Sequence, residues 1–172
     1  MTDTRKTVPA TNCACLLTLV IAVLFAPLPA SARELLKITR ANGEIVDLDL
    51  EALDALEQEK FTTETLWTKS ATTFSGPPLT AVLEAAGVEA GAVDLIALNA
   101  YEVTMDLDHP LLDGVSPIVA TRLDGEIFAI RDNGPLWIMF PFDDNPRLKQ
   151  ERIYSYSVWQ LVEIRVSEDA EE

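Results

Sequence analysis

Apolar and polar residues alternate along several short segments of this chain, a pattern typical of half-buried β-strands. Residues 36–39 alternate in this way, and the alternation resumes at Ile45 after Asn42-Gly43. Asn-Gly between two alternating runs is typical of a β-hairpin with a type I′ turn. The sequence therefore predicts an antiparallel hairpin at the start of the folded region.

Two segments have helical spacing instead. Leucines recur at positions 50, 53 and 56 after Asp49, whose carboxylate suits a helix N-cap. A second helix is predicted from Leu79 to Ala86, because Gly87 follows and glycine commonly ends helices.

The remaining regular segments have the pattern of short strands. Two of them flank a second predicted hairpin turn at Asp124-Gly125-Glu126. Many short strands with two short helices predict an α+β domain that is mostly β, with a mixed or barrel-like sheet. The predicted strands are residues 61–67, 93–99, 101–107, 119–123, 127–130, 136–140 and 156–166.

Residues 1–32 have the features of a secretory signal peptide. Arg5 and Lys6 give its N-terminal region a positive charge, residues 16–25 form an apolar core, and Ala30-Ser31-Ala32 resembles a cleavage site. That core is too short to span a bilayer, which requires roughly twenty apolar residues. We expect Sec-type export to a bacterial periplasm, with cleavage and no membrane insertion afterwards. An uncleaved anchor is the main alternative, whereas lipidation and twin-arginine export suit these residues less well.

Both cysteines of the chain, Cys13 and Cys15, lie in this leader. Cleavage would leave one domain at residues 33–166 and an acidic tail at residues 167–172. The exported chain would then have no thiol, which removes disulfides, thiolate nucleophiles and cysteine metal ligands together.

The chain is strongly acidic, with 13 Lys and Arg against 28 Asp and Glu and a formal net charge of −15. Arg5, Lys6 and Asp3 would leave with the leader, so 11 basic and 27 acidic residues, or −16, would remain. Such a surface repels nucleic acid phosphates and favours solubility or a cationic partner. We therefore expect no nucleic acid partner.

Five stretches of the chain resemble, in the same order, the molybdopterin-binding domain of sulfite oxidase-type oxidoreductases. The first is the aromatic-x-Gly-x-x-Leu pattern at Phe74-Ser75-Gly76, which leads into the Leu-rich helix ending at Gly87. The others are VDLIALNAY at 93–101, LDGE at 123–126, DNGPLWIMFP at 132–141 and WQLVEI at 159–164. The likeness covers roughly residues 59–166, is strongest to short exported proteins of that superfamily, and implies their fold.

The chain departs from that family in three ways. In the full-length enzymes a cysteine upstream of the aromatic-x-Gly motif binds molybdenum, but residues 61–67 contain none. No Lys or Arg lies between Lys69 and Arg122, although a pterin phosphate favours such donors. Sec-type export precedes folding, whereas the resemblance implies cofactor insertion into folded protein in the cytoplasm. We therefore predict no cofactor, with molybdopterin as the alternative.

The resemblance also suggests where a pocket lies, at the end of the strand that leads into residues 99–101 and beside Gly134-Pro135. Arg131 is the candidate for an anion contact, although it could equally pair with Asp132 on the surface. Tyr101 could instead be a half-buried core residue. The candidate ligand-pocket residues are Asn99, Tyr101, Arg131, Asn133, Trp137 and Tyr154.

No catalytic or metal-binding set is predicted. His109, the single histidine, is better explained as a solvated loop residue, and Asp143-Asp144-Asn145 as a turn before Pro146 than as a calcium loop. The three tryptophans, Trp67, Trp137 and Trp159, are expected in the core rather than on a binding surface.

These observations predict a non-catalytic module that binds an unknown small ligand or a periplasmic partner protein. A molybdopterin-dependent oxidoreductase with a non-cysteine metal ligand is the alternative. A hydrolase that uses carboxylates is a third and less supported class.

Overall fold

The structure, a computed structural model, describes Thr2, residues 34–89 and residues 91–167. Thr2 apart, the predicted leader lies outside the described residues, as do residues 168–172 of the predicted acidic tail. The described residues from 34 onward all belong to one compact unit. Within these ranges, no helix has the length and apolar character needed to cross a membrane.

The largest sheet has five strands and brings the first and last described strands together. In spatial order its strands are β2 (Ile45–Leu48), β1 (Leu36–Thr39), β11 (Leu161–Val166), β5 (Ala92–Ala97) and β6 (Glu102–Asp106). β1 and β11 run parallel, with Ile38 opposite Ile164, and the other neighbours are antiparallel. A parallel pair needs a long connection, and here the remainder of the domain supplies it.

A second sheet and a two-stranded ribbon complete the described β structure. The second sheet contains β3 (Glu59–Thr63), β4 (Thr72–Gly76), β8 (Arg122–Leu123) and β9 (Glu126–Ile127), and the ribbon pairs β7 (Ile118–Ala120) with β10 (Trp137–Met139). The backbone N–H of Val119 donates to the carbonyl of Pro77 at 2.8 Å, which joins the ribbon to the end of β4. A bridge between Trp137 and Trp159 joins the ribbon to the residues before β11.

Within the described residues, three short α-helices and two 3-10 helices connect these strands. The α-helices are α1 (Leu50–Asp54), α2 (Leu79–Ala85) and α3 (Glu151–Tyr156), and the 3-10 helices are Ile130–Asp132 and Pro146–Leu148. Asp49 caps α1 as predicted, because its side chain accepts a hydrogen bond from the backbone N–H of Ala52 at 2.8 Å. Gly87 follows α2 with φ +64°, the left-handed conformation that ends many helices.

Both predicted hairpins are present, but the first has a different turn. Asp124 and Gly125 both have positive φ, at 50° and 89°, which is the type I′ geometry. In the first hairpin the positive φ is at Gly43 and not at Asn42, and the Arg40 N–H bonds the carbonyl of Glu44. The predicted type I′ turn is therefore wrong there, since a three-residue loop with a left-handed glycine closes this hairpin.

Three strand predictions and the prediction of one barrel-like sheet need correction. The strand predicted for 127–130 ends at Ile127, and Ile130 begins a 3-10 helix. The strand predicted for residues 61–67 ends at Thr63, because the Thr65 hydroxyl bonds the backbone that follows and starts a turn. The strand predicted for 156–166 begins only at Leu161, and Tyr156 is the last residue of α3. The strands also divide into separate sheets rather than forming one barrel-like sheet.

The aromatic-x-Gly motif of the sequence has a packing role. Gly76 ends β4 where the ribbon crosses it, and a Cβ at this position would stand 2.1 Å from the carbonyl oxygen of Val119. Phe74 of the same motif is fully buried. The largest fully buried side chains are Trp137, Phe74, Phe140, Phe142, Leu36, Ile38, Leu53, Leu79, Leu95, Met105, Ile118 and Leu136.

An ion pair links α1 to the second sheet. The Arg122 guanidinium donates to both carboxylate oxygens of Asp54, at 2.6 and 2.7 Å. This contact lowers the pKa of Asp54 and raises that of Arg122. Because the pair has a bidentate geometry, it orients α1 more strongly than a single surface contact would.

Candidate functional site

The loop after β3 holds Trp67 in place through the side chain of Thr65. The Thr65 hydroxyl oxygen accepts hydrogen bonds from the backbone N–H groups of Trp67 at 3.1 Å and Thr68 at 3.0 Å. Its hydroxyl also lies 2.9 Å from that of Thr68. These side-chain-to-backbone hydrogen bonds form a local turn, which directs the chain away from the sheet just before Trp67.

Asp143 fastens the same loop to a distant turn. One carboxylate oxygen accepts from the backbone N–H of Glu64 at 2.7 Å, and the other pairs with Lys149 Nζ at 2.7 Å. The backbone N–H of Asp143 in turn donates to the hydroxyl of Thr63 at 3.2 Å. The Lys149 hydrogen bond and then the Glu64 N–H lower the pKa of Asp143, so its carboxylate stays charged through neutral pH.

Trp67 is the centre of an aromatic cluster. Its ring meets those of Trp137, Tyr154 and Trp159 at centroid distances of 5.9, 6.0 and 6.0 Å, each in an edge-to-face arrangement. Trp137 also meets Trp159 edge-to-face at 6.2 Å, and Tyr154 packs against Phe142 at 5.1 Å. The cluster therefore joins the loop after β3, the ribbon, α3 and the approach to β11.

Tyr101 stands at the rim of this cluster, on the turn between β5 and β6. Ala100 takes a left-handed φ of 63°, and the side-chain oxygen of Asn99 accepts from the backbone N–H of Tyr101 at 3.1 Å. The Tyr101 hydroxyl reaches across to the carbonyl of Ser155 on α3 at 3.2 Å. Tyr101 is 46% exposed, so one side of its ring faces solvent.

These residues enclose a cavity of about 250 Å³, here called the aromatic cavity. Among the described residues its lining contains no acidic or basic side chain, and four of its members are Trp or Tyr. The lining residues are Trp67, Ala97, Asn99, Tyr101, Tyr154, Ser155, Ser157, Val158 and Trp159.

Several polar groups of the cavity residues have no hydrogen-bond partner within the described residues. Neither indole N–H of Trp67 and Trp159 has an acceptor in the described part of the chain. No buried polar side-chain atom of that part lacks a partner, so both indole nitrogens must reach solvent. The amide nitrogen of Asn99 and the hydroxyl of Tyr154 likewise make no hydrogen bond within the described residues. The cavity therefore combines aromatic walls with a few hydrogen-bonding groups, as small-molecule sites commonly do.

The structure brings together three of the six predicted pocket residues, Asn99, Tyr101 and Tyr154. Trp137 lies behind the cavity wall, 1% exposed, with its indole N–H bonded to the carbonyl of Ser157 at 3.1 Å. Trp137 lies in the core as predicted, whereas Trp67 and Trp159 are half-buried: they pack against the core and also line the cavity. A tryptophan in a Thr-rich loop outside the strands is the signal that could have indicated Trp67.

Arg131 and Asn133 do not line the aromatic cavity, so the predicted set does not form one pocket. Arg131 lines a second, broader cleft with Phe128, Ile130 and Leu98, and its side chain is 86% exposed and pairs with Asp132 at 3.4 Å. Asn133 takes a left-handed φ of 67° at the end of the 3-10 helix, and its carbonyl accepts from the N–H of Gln160. The surface pairing that the sequence left open for Arg131 is present.

The other candidate positions behave as turn residues. The ring nitrogen Nδ1 of His109 accepts from the backbone N–H of Leu111 at 3.2 Å. Asn145 caps the 3-10 helix that begins at Pro146, which confirms the predicted turn there. No group of three or more metal-ligating side chains lies together in the described ranges.

The fold of this chain is similar to that of part of a sulfane dehydrogenase chain. The crystal structure of the sulfane dehydrogenase SoxCD from Paracoccus pantotrophus matches with a TM-score of 0.56 and 14% sequence identity, over 80% of this chain and 39% of that chain. At this identity the likeness is one of fold, and it agrees with the predicted α+β, mostly β class. No family model and no curated protein matches the sequence.

Proposed function

We propose that this protein is an exported, non-catalytic module that binds a small organic ligand in the aromatic cavity. The observation that carries the proposal is the lining of that cavity, in which four aromatic rings and no charged side chain of the described residues meet. Concave, mostly apolar sites with a few placed polar groups are the usual form of a ligand site. The periplasmic location is part of the proposal and rests on the leader pattern of residues 1–32.

If this chain held a molybdopterin cofactor, the resemblance implies that it would bind at the aromatic cavity. In the sulfite oxidase-type enzymes that the chain resembles, the metal-binding cysteine lies upstream of the aromatic-x-Gly motif. The corresponding segment here is residues 61–67, and its last residue, Trp67, lines the cavity. The lining has no sulfur atom to act as a metal ligand and no Lys or Arg to hold a phosphate. The residues present therefore do not fit this cofactor, and the fold shared with a dehydrogenase does not by itself carry that activity over.

The size of the cavity limits the ligand. A volume of about 250 Å³ lies just below the range of roughly 300–1,000 Å³ that is usual for drug-sized ligands. The ligand we propose is therefore a compact molecule or the end group of a longer one, held mainly by contact with the rings.

The proposal is tested with mature protein purified from periplasm without chelators. Molybdenum is measured by mass spectrometry, and binding of indole, benzoate and choline is followed by tryptophan fluorescence and ligand-detected NMR. We expect substoichiometric molybdenum and binding of at least one probe. Stoichiometric molybdenum, or no binding by any of the three probes, would overturn the proposal.

A pair of variants on one turn places the binding site. Tyr101→Ala removes a cavity wall, whereas Leu98→Ala alters an exposed residue that lines the second cleft. We expect the bound probe to lose about tenfold in affinity in Tyr101→Ala, as removing an aromatic contact commonly does. Leu98→Ala should leave the affinity unchanged, and the reverse pattern would move the site to the second cleft.

A further inference from the structure

We infer that the aromatic cavity takes a small organic cation, of the quaternary ammonium class. This inference rests on the proposed ligand-binding function and goes further by naming the chemistry of the ligand. It depends on three features of the cavity, which are the angles between its rings, the sign of the surrounding charge and the hydrogen-bonding groups left free.

The rings of the cavity stand at steep angles to one another. Trp67 meets Tyr154 at 85° and Trp159 at 65°, so Trp67 forms an adjoining wall with each of these rings and stacks with neither. A parallel pair of rings would suit a flat aromatic ligand between them. Adjoining walls suit a rounded group such as a trimethylammonium, which can touch several rings at once.

The charge around the cavity favours a cation over an anion. No acidic or basic side chain of the described residues lines it, so an anion would find no Lys or Arg to pair with. Lys149, which lies near Tyr154, is already paired with Asp143 at 2.7 Å, and Glu64 adds a negative charge nearby. The chain as a whole carries a formal charge of −15, which attracts cations from solution.

The neighbouring cleft does not change this balance. It shares Ser155 with the aromatic cavity and carries Glu151 and Arg152, whose formal charges cancel. The free groups of the cavity, such as the Tyr154 hydroxyl and the Asn99 amide, can serve a polar substituent beside the ammonium group. An alcohol or ether oxygen close to the cation would suit them.

The test compares choline with its uncharged isostere 3,3-dimethylbutan-1-ol, which has the same shape and lacks the charge. Attraction between a cation and the ring faces should make choline bind about tenfold more tightly. If the isostere binds as well as choline, or if indole or benzoate binds and choline does not, the cation assignment is wrong while ligand binding stands. If no probe binds at all, the proposed function itself fails.

Fluorinated tryptophans provide a second readout that leaves the fold in place. Fluorine withdraws electrons from the indole face and weakens its attraction for a cation without changing the shape of the ring much. With protein made from mono-, di- and trifluorotryptophan, we expect choline affinity to fall stepwise while that of the isostere stays constant. An equal change for both ligands, or no change for choline, would overturn the inference.

Discussion

The ring of Trp67 packs edge-to-face on that of Trp159, with centroids 6.0 Å apart, and both residues line the aromatic cavity. Trp67 comes from a loop between two strands of the second sheet, and Trp159 lies two residues before β11, the strand that pairs with β1 and β5. The cavity therefore depends on contacts between parts of the chain that are far apart in sequence.

We expect Trp67→Ala to lower the free energy of unfolding by about 2 kcal/mol, because three edge-to-face contacts of a half-buried ring are lost. Urea denaturation measures the change. The neighbouring Leu66 is 70% exposed, so Leu66→Ala serves as the control and should change stability by less than about 0.5 kcal/mol. Equal losses in the two variants would contradict the central position of Trp67 in the cluster.

Thr65→Ala removes the hydroxyl that accepts hydrogen bonds from the backbone of Trp67 and Thr68. We expect a loss of about 1 kcal/mol in unfolding free energy, the usual size for such hydrogen bonds. Thr65→Ser keeps the oxygen and should retain most of the stability in the same denaturation experiment. A serine variant as unstable as the alanine variant would show that the methyl group matters instead.

Stability should depend on the ionisation of Asp143. The Lys149 hydrogen bond and the Glu64 N–H lower the pKa of Asp143 in the folded state below its ordinary value of 3.8. The unfolded chain therefore takes up the proton first as the pH falls, and the stability that Asp143 contributes is fully present above that value and is lost at lower pH. Melting temperatures of the wild type and Asp143→Asn, measured from pH 7 to pH 2, should differ at neutral pH and converge in acid. A constant difference would contradict this account.

Gly76→Ala should be among the most damaging single changes in the domain. Its Cβ would stand 2.1 Å from the backbone oxygen of Val119, so strand β4 and the ribbon would have to separate. We expect a loss of about 3 kcal/mol or more, or failure to fold. Gly43→Ala is the comparison, because a Cβ there meets nothing within 4 Å and only its φ of +80° is unfavourable. Similar losses for the two variants would argue against the close approach at Gly76.

Much of the local structure could be predicted from short-range signals. Asp124-Gly125 makes the predicted hairpin turn, which is of type I′, Asp49 caps α1, and the alternation of residues 93–97 gives a strand with buried residues on one face. Each of these depends on contacts within a few residues, so the neighbouring sequence contains the information.

Other elements could not be predicted because their signals are weak or misleading. Residues 151–156 have no side-chain cap and few apolar positions, yet they form α3 since Ile153 and Tyr156 are buried against the rest of the domain. Thr and aromatic residues before Trp67 favour a strand, but the Thr65 hydroxyl turns the chain after Thr63. Tertiary contacts and side-chain hydrogen bonds outweigh propensity at both places.

The sequence by itself determined the class of the domain, the positions of its two predicted hairpin turns, and the absence of any cysteine after residue 15, because these follow from composition and local pattern. Only the tertiary structure decided which side chains meet. It placed Trp67 and Trp159 beside Asn99, Tyr101 and Tyr154, and it left Arg131 on a separate cleft. Contacts across long separations arise from the pairing of distant strands, and periodicity along the chain does not specify that pairing.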